Sequence, residues 1–237
     1  MRTPFVEMRR SEKIGGVIWL LVYIFLMSIL VFVVLDLLGH GEDLVLANQV
    51  YFFANFLITC VLFRHFLTDS LAVVWRRPGR FFKGILLGFF LYLIVQIVLT
   101  ELYEVIAPEL WTANEENVED VAGMSYWAMW AGAVLLGPLV EETLMRGLIF
   151  GNLRKKSRIA AYAVSTLVFG LLHVLGYVAD PRMDLWTFVL NVGLYLGHGI
   201  VLAVTYEYTG TIWGPTALHM ILNAISMGAL RMLESMT

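Results

Sequence analysis

Ionisable and amide side chains recur at helical spacing inside apolar stretches in the second half of this sequence. A spacing of four residues places both members of a pair on one face of an α-helix. Charged and polar groups in such apolar surroundings are costly, so their presence indicates a functional site. Three pairs have this spacing: Glu142 with Arg146, Phe169 with His173, and His219 with Asn223.

Together these groups have the chemistry needed to hydrolyse an amide bond. A carboxylate such as Glu141 and an imidazole such as His173 can share a proton and so deprotonate a water molecule. A second imidazole and a carboxamide, those of His219 and Asn223, can stabilise the oxyanion that forms when water attacks a carbonyl. The sequence therefore predicts one catalytic site made of these four side chains, provided that three separate segments meet at a shared depth.

The two adjacent glutamates must have different roles. Glu141 and Glu142 are rotated about 100° apart on a helix, so they face different neighbours. Arg146 lies on the face of Glu142, which predicts a buried ion pair that fixes the helix in register. Glu141 then remains for proton transfer. Pro138 removes a backbone hydrogen bond and predicts a kink just before the two carboxylates.

The segments that must position these residues are strongly apolar. The chain has 237 residues, 59% of them hydrophobic and 15% charged, whereas soluble domains carry about 25% charged residues. Apolar runs of about 20 residues match a hydrocarbon core about 30 Å thick, where the backbone must satisfy its own hydrogen bonds. We therefore expect an all-α polytopic integral membrane helix bundle with about seven to eight transmembrane helices.

The hydropathy pattern also predicts the span boundaries. We expect one transmembrane domain over residues 1–237, with a catalytic core at approximately residues 124–230. Seven spans are predicted, at residues 14–38, 47–67, 84–106, 125–153, 159–178, 185–206 and 212–230.

The distribution of positive charge predicts the orientation of the bundle. If the seven spans alternate, one side holds all of the 16 Lys and Arg residues except Arg182 and Arg231. The positive-inside rule assigns that side, with the N-terminus and Arg2, to the cytoplasm. The side opposite is strongly acidic.

The composition excludes several classes of site. Cys60 is the single cysteine, so an internal disulfide framework and a multi-cysteine metal site are excluded. The chain has no basic run of the kind that binds nucleic acid, so nucleic acid is not an expected partner. No cofactor is expected either.

The strings EETLMRG, FGLLHV and TYEYTGTIWGPTALHMILNA resemble the CPBP family of CAAX proteases and bacteriocin-processing proteins, also called Abi. Their patterns EExxxR, FxxxH and HxxxN occur in the family's order over about residues 135–225. The resemblance implies a membrane helix bundle that acts as a glutamate-type intramembrane endopeptidase, with its site buried in the bilayer. The residues implied are catalytic Glu141, His173, His219 and Asn223, with Glu142, Arg146 and Phe169 in supporting roles.

The resemblance also implies the partners and the location. The substrate would be a hydrophobic or lipidated peptide at the membrane, such as a prenylated CAAX-type tail, a pheromone precursor or a bacteriocin leader. Membrane lipid is the other expected partner. A chain of this size and composition is expected in a prokaryotic plasma membrane.

Three alternatives remain open from the sequence. Glu141, His173 and His219 are a plausible zinc set for an intramembrane metalloprotease, although the helical HExxH spacing is missing. A non-catalytic immunity or scaffold protein of the same family is the second alternative, and a transporter is the third. Asn191 and His198 share a helix face and either line the same cavity or bond neighbouring helices.

Overall fold

The computed structural model describes residues 5–236, except for the side chain of Glu234, so Arg2 lies outside the described residues. Every regular element in this part of the chain is helical, and the strands of a barrel or sheet do not occur in it. The α-helices are α1 (Arg10–Phe25), α2 (Met27–Leu37), α3 (Leu44–Leu62), α4 (Arg64–Arg76), α5 (Pro78–Ile106), α6 (Ala113–Trp130), α7 (Gly137–Glu142), α8 (Gly151–Leu153), α9 (Arg158–Val174), α10 (Leu185–Thr209) and α11 (Trp213–Glu234).

The chain is an integral membrane helix bundle, as its composition predicts. Five helical segments in the described residues are long and apolar enough to cross a membrane: Leu44–Leu62, Pro78–Ile106, Arg158–Tyr177, Leu185–Thr209 and Trp213–Leu233. Helices α1 and α2 form a sixth candidate only if they count as one span, because they are bent by 62° relative to each other. The predicted count of seven to eight spans is therefore not confirmed.

The predicted span over residues 125–153 is a broken helix. Ser125 has non-helical dihedral angles, with φ −158° and ψ 91°, and so kinks α6. Helix α7 is flanked by two π-helical segments, Ala131–Leu136 and Thr143–Phe150. Pro138, near the start of α7, cannot donate a backbone hydrogen bond, and the wider i→i+5 turns on either side accommodate the misfit. The kink predicted at this proline thus takes the form of π-helical turns.

The two ends of the bundle carry opposite charges. We call the end formed by residues 9–13, 64–83 and 154–158 the basic end, and the end formed by residues 101–120 and 180–184 the acidic end. At the basic end the second predicted span is shorter than expected, because α3 stops at Leu62 and α4 begins at Arg64.

Helix α4 packs against the turn between α10 and α11 at this basic end. The hydroxyl of Thr211 donates to the carbonyl of Ser70 at 2.7 Å, and Nε1 of Trp213 donates to the carbonyl of Leu67 at 3.1 Å. Each bond is a second contact to a carbonyl inside α4, and together they hold the end of α10 against α4.

Helices α5 and α10 approach closely through glycines, whose lack of a side chain lets helix backbones pack together. A Cβ atom at Gly88 would collide with Thr205, and one at Gly197 would lie 2.7 Å from Cδ1 of Leu99. The opposite neighbour of α10 is α9, where a Cβ at Gly199 would lie 2.8 Å from Cγ2 of Thr166. Helix α10 is therefore held between α5 and α9, close to the histidine that α9 carries.

Candidate active site

A fully buried ion pair forms the base of the site. Arg146 and Glu142 are both 0% exposed, and Nη1 of the arginine donates to Oε1 of the carboxylate at 3.0 Å. This is the pair that the spacing of four residues predicts. Nη2 of Arg146 donates to the carbonyl of Gly199 on α10 at 2.8 Å, and the guanidinium lies 4.7 Å from the centre of the Phe169 ring on α9. Arg146 thus links the segment after α7 to two other helices.

His219 on α11 contacts both adjacent glutamates. Its Nδ1 lies 3.1 Å from Oε1 of Glu142, and its Nε2 lies 3.9 Å from Oε2 of Glu141. Because Oε1 of Glu142 accepts from Arg146, it acts as the acceptor in this contact too, and Nδ1 of His219 carries the hydrogen. This contact between His219 and Glu142 does not follow from the sequence motifs.

His173 on α9 has a fixed orientation. Its Nδ1 lies 2.8 Å from the carbonyl of Phe169, one turn earlier in the same helix. A carbonyl can only accept, so Nδ1 is the donor and Nε2 of the neutral ring carries a lone pair. That Nε2 lies 3.8 Å from Oε2 of Glu141.

Oε2 of Glu141 therefore lies near the Nε2 atoms of both His173 and His219. The distances of 3.8 and 3.9 Å from Oε2 to the two Nε2 atoms are too long for direct hydrogen bonds. The side chains of Glu141 and His173 each retain 16% of their exposure, whereas those of Glu142 and Arg146 retain none. The convergence predicted for the three segments is present, with Glu141 at its accessible edge and the ion pair beneath it.

The side-chain amide of Asn223 bonds to the backbone, and not to the other residues of the predicted site. Its Nδ2 donates to the carbonyl of Ala133 at 2.8 Å, in the π-helical segment before α7. This bond joins α11 to the broken helix and uses one of the two amide hydrogens. The amide is thus oriented by the backbone of the broken helix rather than by a bond to Glu141 or His219.

Tyr195, which no sequence motif indicates, also contacts the site. Its ring stacks on that of His173 with centroids 4.2 Å apart and planes 18° apart. The hydroxyl of Tyr195 accepts from Nδ2 of Asn114 at 3.1 Å, at the start of α6. The only sequence signal for this contact is an aromatic residue on α10 between two glycines, which is common in membrane helices.

Asn191 on α10 bonds to the segment at the start of α6, whereas the hydrogen bond of His198 stays within α10. Nδ2 of Asn191 donates to the carbonyl of Trp111 at 2.9 Å, and its Oδ1 accepts from the backbone N–H of Ala113 at 3.4 Å. Nδ1 of His198 lies 3.2 Å from the carbonyl of Leu194, and its ring centre is 5.0 Å from that of Tyr92. For Asn191 the prediction of bonding between helical segments is confirmed.

Arg182, Glu116 and Asp180 form a charged cluster at the acidic end. Nη1 and Nη2 of Arg182 donate to the two oxygens of Glu116 at 2.9 Å each, and Nη2 also donates to Asp180 at 2.9 Å. The guanidinium lies 3.9 Å from the centre of the Trp111 ring. Hydrogen bonds from Arg182 lower the pKa of Glu116 and of Asp180 below their ordinary values.

The possible zinc set gains no geometric support. Within residues 5–236, no group of three or more His, Cys, Asp or Glu side chains has an arrangement that could hold a metal ion.

Part of this chain is similar in sequence to known membrane proteases. Residues 123–225 match the family model described as Type II CAAX prenyl endopeptidase Rce1-like. The chain is 30% identical over 147 residues to the membrane-embedded CAAX protease MroQ of Staphylococcus aureus (strain USA300). It is 31% identical over 90 residues to YdiL of Bacillus subtilis (strain 168), which carries the name of a membrane peptidase. The resemblance predicted from the three motifs is confirmed.

These matches are partial. The alignment with MroQ covers 58% of this chain and 53% of the relative, and that with YdiL covers 38% and 32%. No solved structure matches the chain significantly.

Proposed function

We propose, from the match of residues 123–225 to the Rce1-like CAAX protease family, that this chain is an intramembrane endopeptidase. Its reaction is hydrolysis of a peptide bond in a membrane-associated substrate. The proposed catalytic residues are Glu141, His173, His219 and Asn223, supported by Glu142, Arg146 and Phe169. The proposed catalytic core is approximately residues 124–230, within one domain that covers residues 1–237.

The observation that carries this proposal is the shared oxygen of Glu141. Oε2 of Glu141 and the lone pair on Nε2 of His173 are two proton acceptors 3.8 Å apart. A water molecule can donate one hydrogen to each of them, which turns its own lone pair towards a substrate carbonyl. The 16% exposure of both side chains supports access of water and substrate to this point.

His219 has the complementary position for stabilising negative charge. With a proton on each ring nitrogen, His219 donates its Nδ1–H to Oε1 of Glu142, which lies 3.1 Å from Nδ1. Its Nε2–H then points towards the side of Glu141 and can donate to an oxyanion.

The proposed reaction has two proton transfers. The water oxygen bonds to the carbonyl carbon while its proton passes to the pair formed by Glu141 and His173. The carbonyl electrons move to oxygen, which accepts hydrogen bonds from Nε2–H of His219 and from the second amide hydrogen of Asn223. When the C–N bond breaks, the leaving nitrogen takes the proton back from the first pair, and the site returns to its starting state.

The substrate class and the location follow from the resemblance and the charges. We propose hydrophobic or lipidated peptides, such as prenylated CAAX-type tails, pheromone precursors or bacteriocin leaders. The proposed location is a prokaryotic plasma membrane with the basic end and the N-terminus in the cytoplasm.

Purified protein in lipid vesicles, incubated with prenylated and unprenylated peptides, tests the proposal. Glu141→Gln and His219→Gln should each reduce cleavage by at least about 100-fold, since each removes a proton-transfer or oxyanion group. The matched controls are Glu119→Gln, which is exposed near the acidic end, and His40→Gln, which is exposed after the end of α2. Both controls should cleave within about threefold of the parent.

The same assay separates the alternatives. Full cleavage by Glu141→Gln would contradict the proposed mechanism. Cleavage that stops with a chelator and returns with zinc would favour a metalloprotease. A folded Glu141→Gln variant that keeps the full cellular phenotype would assign that phenotype to a scaffold or immunity role.

A further inference from the structure

A cavity at the basic end has a charge pattern that the proposed reaction does not use. Its volume is about 610 Å³, and it lies between the N-terminal segment, the turn from α8 to α9 and the end of α10. Its walls include five cationic side chains against two carboxylates. The cations are Lys13, Arg80, Arg154, Lys155 and Arg158, and the carboxylates are Glu7 and Glu207.

Both carboxylates in this cavity already have partners. Oε1 of Glu207 lies 2.6 Å from Nη2 of Arg154, and its Oε2 lies 2.9 Å from Nη2 of Arg158. Oε2 of Glu7 lies 2.5 Å from Nζ of Lys155, and this contact lowers the pKa of the Glu7 carboxyl. Five cations against two carboxylates leave the lining with a net positive charge, which favours the binding of an anion.

The position of the cavity indicates which anion is available. It lies where α5 begins and α10 ends, which is the headgroup level of a bilayer that these helices cross. The rings of Tyr162 and Tyr208 line it, with the guanidinium of Arg80 lying 5.3 Å from the centre of the Tyr208 ring. Tyrosine rings and cations at this depth are typical of contacts with lipid headgroups.

We propose that this cavity binds the phosphate of an anionic phospholipid headgroup. Arginine and lysine are the side chains that bind phosphate oxygens most strongly, and five of them surround the cavity. A zwitterionic lipid also carries an ammonium group, which the same cations repel. Anionic lipid is therefore preferred over zwitterionic lipid.

The occupied cavity would adjoin the helix that carries the proposed catalytic glutamates. Gly147 and Gly151 line the cavity, and Gly147 directly follows the buried Arg146. A headgroup there would pack against the stretch of backbone that leads to the ion pair. Binding itself does not depend on peptidase activity, so it is measured without a substrate.

Native mass spectrometry of the detergent-purified chain measures this binding directly. The probes are phosphatidylglycerol, phosphatidylcholine of the same acyl chains, and inorganic phosphate. The double variant Lys13→Gln/Lys155→Gln removes two cations from the cavity, and Arg76→Gln/Arg77→Gln removes two exposed cations from the same end outside it. Tryptophan fluorescence of each variant checks the fold, and Lys13→Gln alone replaces the double variant if that unfolds.

We expect phosphatidylglycerol to bind more tightly than phosphatidylcholine. The cavity variant should weaken this binding by about 25-fold, since each cation near an anionic headgroup contributes about fivefold. The control variant should stay within about threefold of the parent. Competition by inorganic phosphate only at much higher concentration supports the lipid as the source of the phosphate.

Three results would overturn the proposal. Equal binding of the two lipids would remove the requirement for an anion. Equal weakening by the cavity and control variants would assign the binding to diffuse surface charge. Inorganic phosphate binding as tightly as phosphatidylglycerol would make the cavity a site for a small anion instead of a lipid.

Discussion

Replacement of Arg146 by leucine is the strongest test of how the site is held together. The guanidinium donates to Glu142 at 3.0 Å and to the carbonyl of Gly199 at 2.8 Å, and it lies over the Phe169 ring. Leucine fills part of the volume but makes none of these contacts. Glu142, which is 0% exposed, then keeps only the contact with His219.

The expected loss of stability follows from this burial. Removing one partner of a buried ion pair leaves an uncompensated charge and costs about 3–5 kcal/mol. Glu142→Gln in the Arg146→Leu background removes that charge while keeping an oxygen that can accept from His219. The double variant should therefore be more stable than Arg146→Leu alone, with a coupling energy of about 1–3 kcal/mol.

Chemical unfolding in mixed micelles, followed by tryptophan fluorescence, measures these differences. The control is the ion pair between Lys155 and Glu7 at the basic end, whose side chains retain 44% and 61% of their exposure. Because solvent screens that pair, Lys155→Leu should cost about 1 kcal/mol or less. A cost for Arg146→Leu no larger than that of the control, or additive effects of Glu142→Gln and Arg146→Leu, would refute the reasoning.

Two further predictions concern helix packing and the acidic end. Gly199→Ala should destabilise the bundle by about 1–3 kcal/mol, because its Cβ would lie 3.2 Å from the backbone Cα of Thr166. Gly176→Ala, with no atom within 4 Å of its Cβ, should be neutral in the same unfolding assay. Since Arg182 lowers the pKa of Glu116, their contact stabilises the acidic end above the ordinary carboxyl pKa and is lost as pH falls through the lowered value. Because both side chains are exposed, hydrogen exchange at the acidic end should become faster in acid by only about fivefold or less, and Arg182→Gln should show the faster exchange already at neutral pH.

Local geometry explains which parts of the site are predictable. The ion pair between Glu142 and Arg146 follows from a spacing of four residues, because helix periodicity fixes which side chains share a face. The helical class follows from the apolar runs, since a backbone in lipid must bond internally. The three motifs also suffice for the family resemblance, which the match over residues 123–225 confirms.

Other features cannot be read from hydropathy. The count of seven to eight spans is not confirmed, and hydropathy does not detect the bend between α1 and α2 or the π-helical turns beside α7. Residues in those segments are as apolar as residues in straight spans, so their composition carries no signal of the break.

The sequence by itself determined that this protein is a membrane helix bundle and that its polar side chains form pairs on helix faces. Only the tertiary structure decided that His219 bonds to Glu142, that Asn223 bonds to the backbone of Ala133, and that Tyr195 stacks on His173. These contacts join separate helices, so they depend on the depth and rotation at which the helices pack. A shift of one helix by a single turn, about 5.4 Å, would exchange every such partner while leaving the sequence periodicity unchanged.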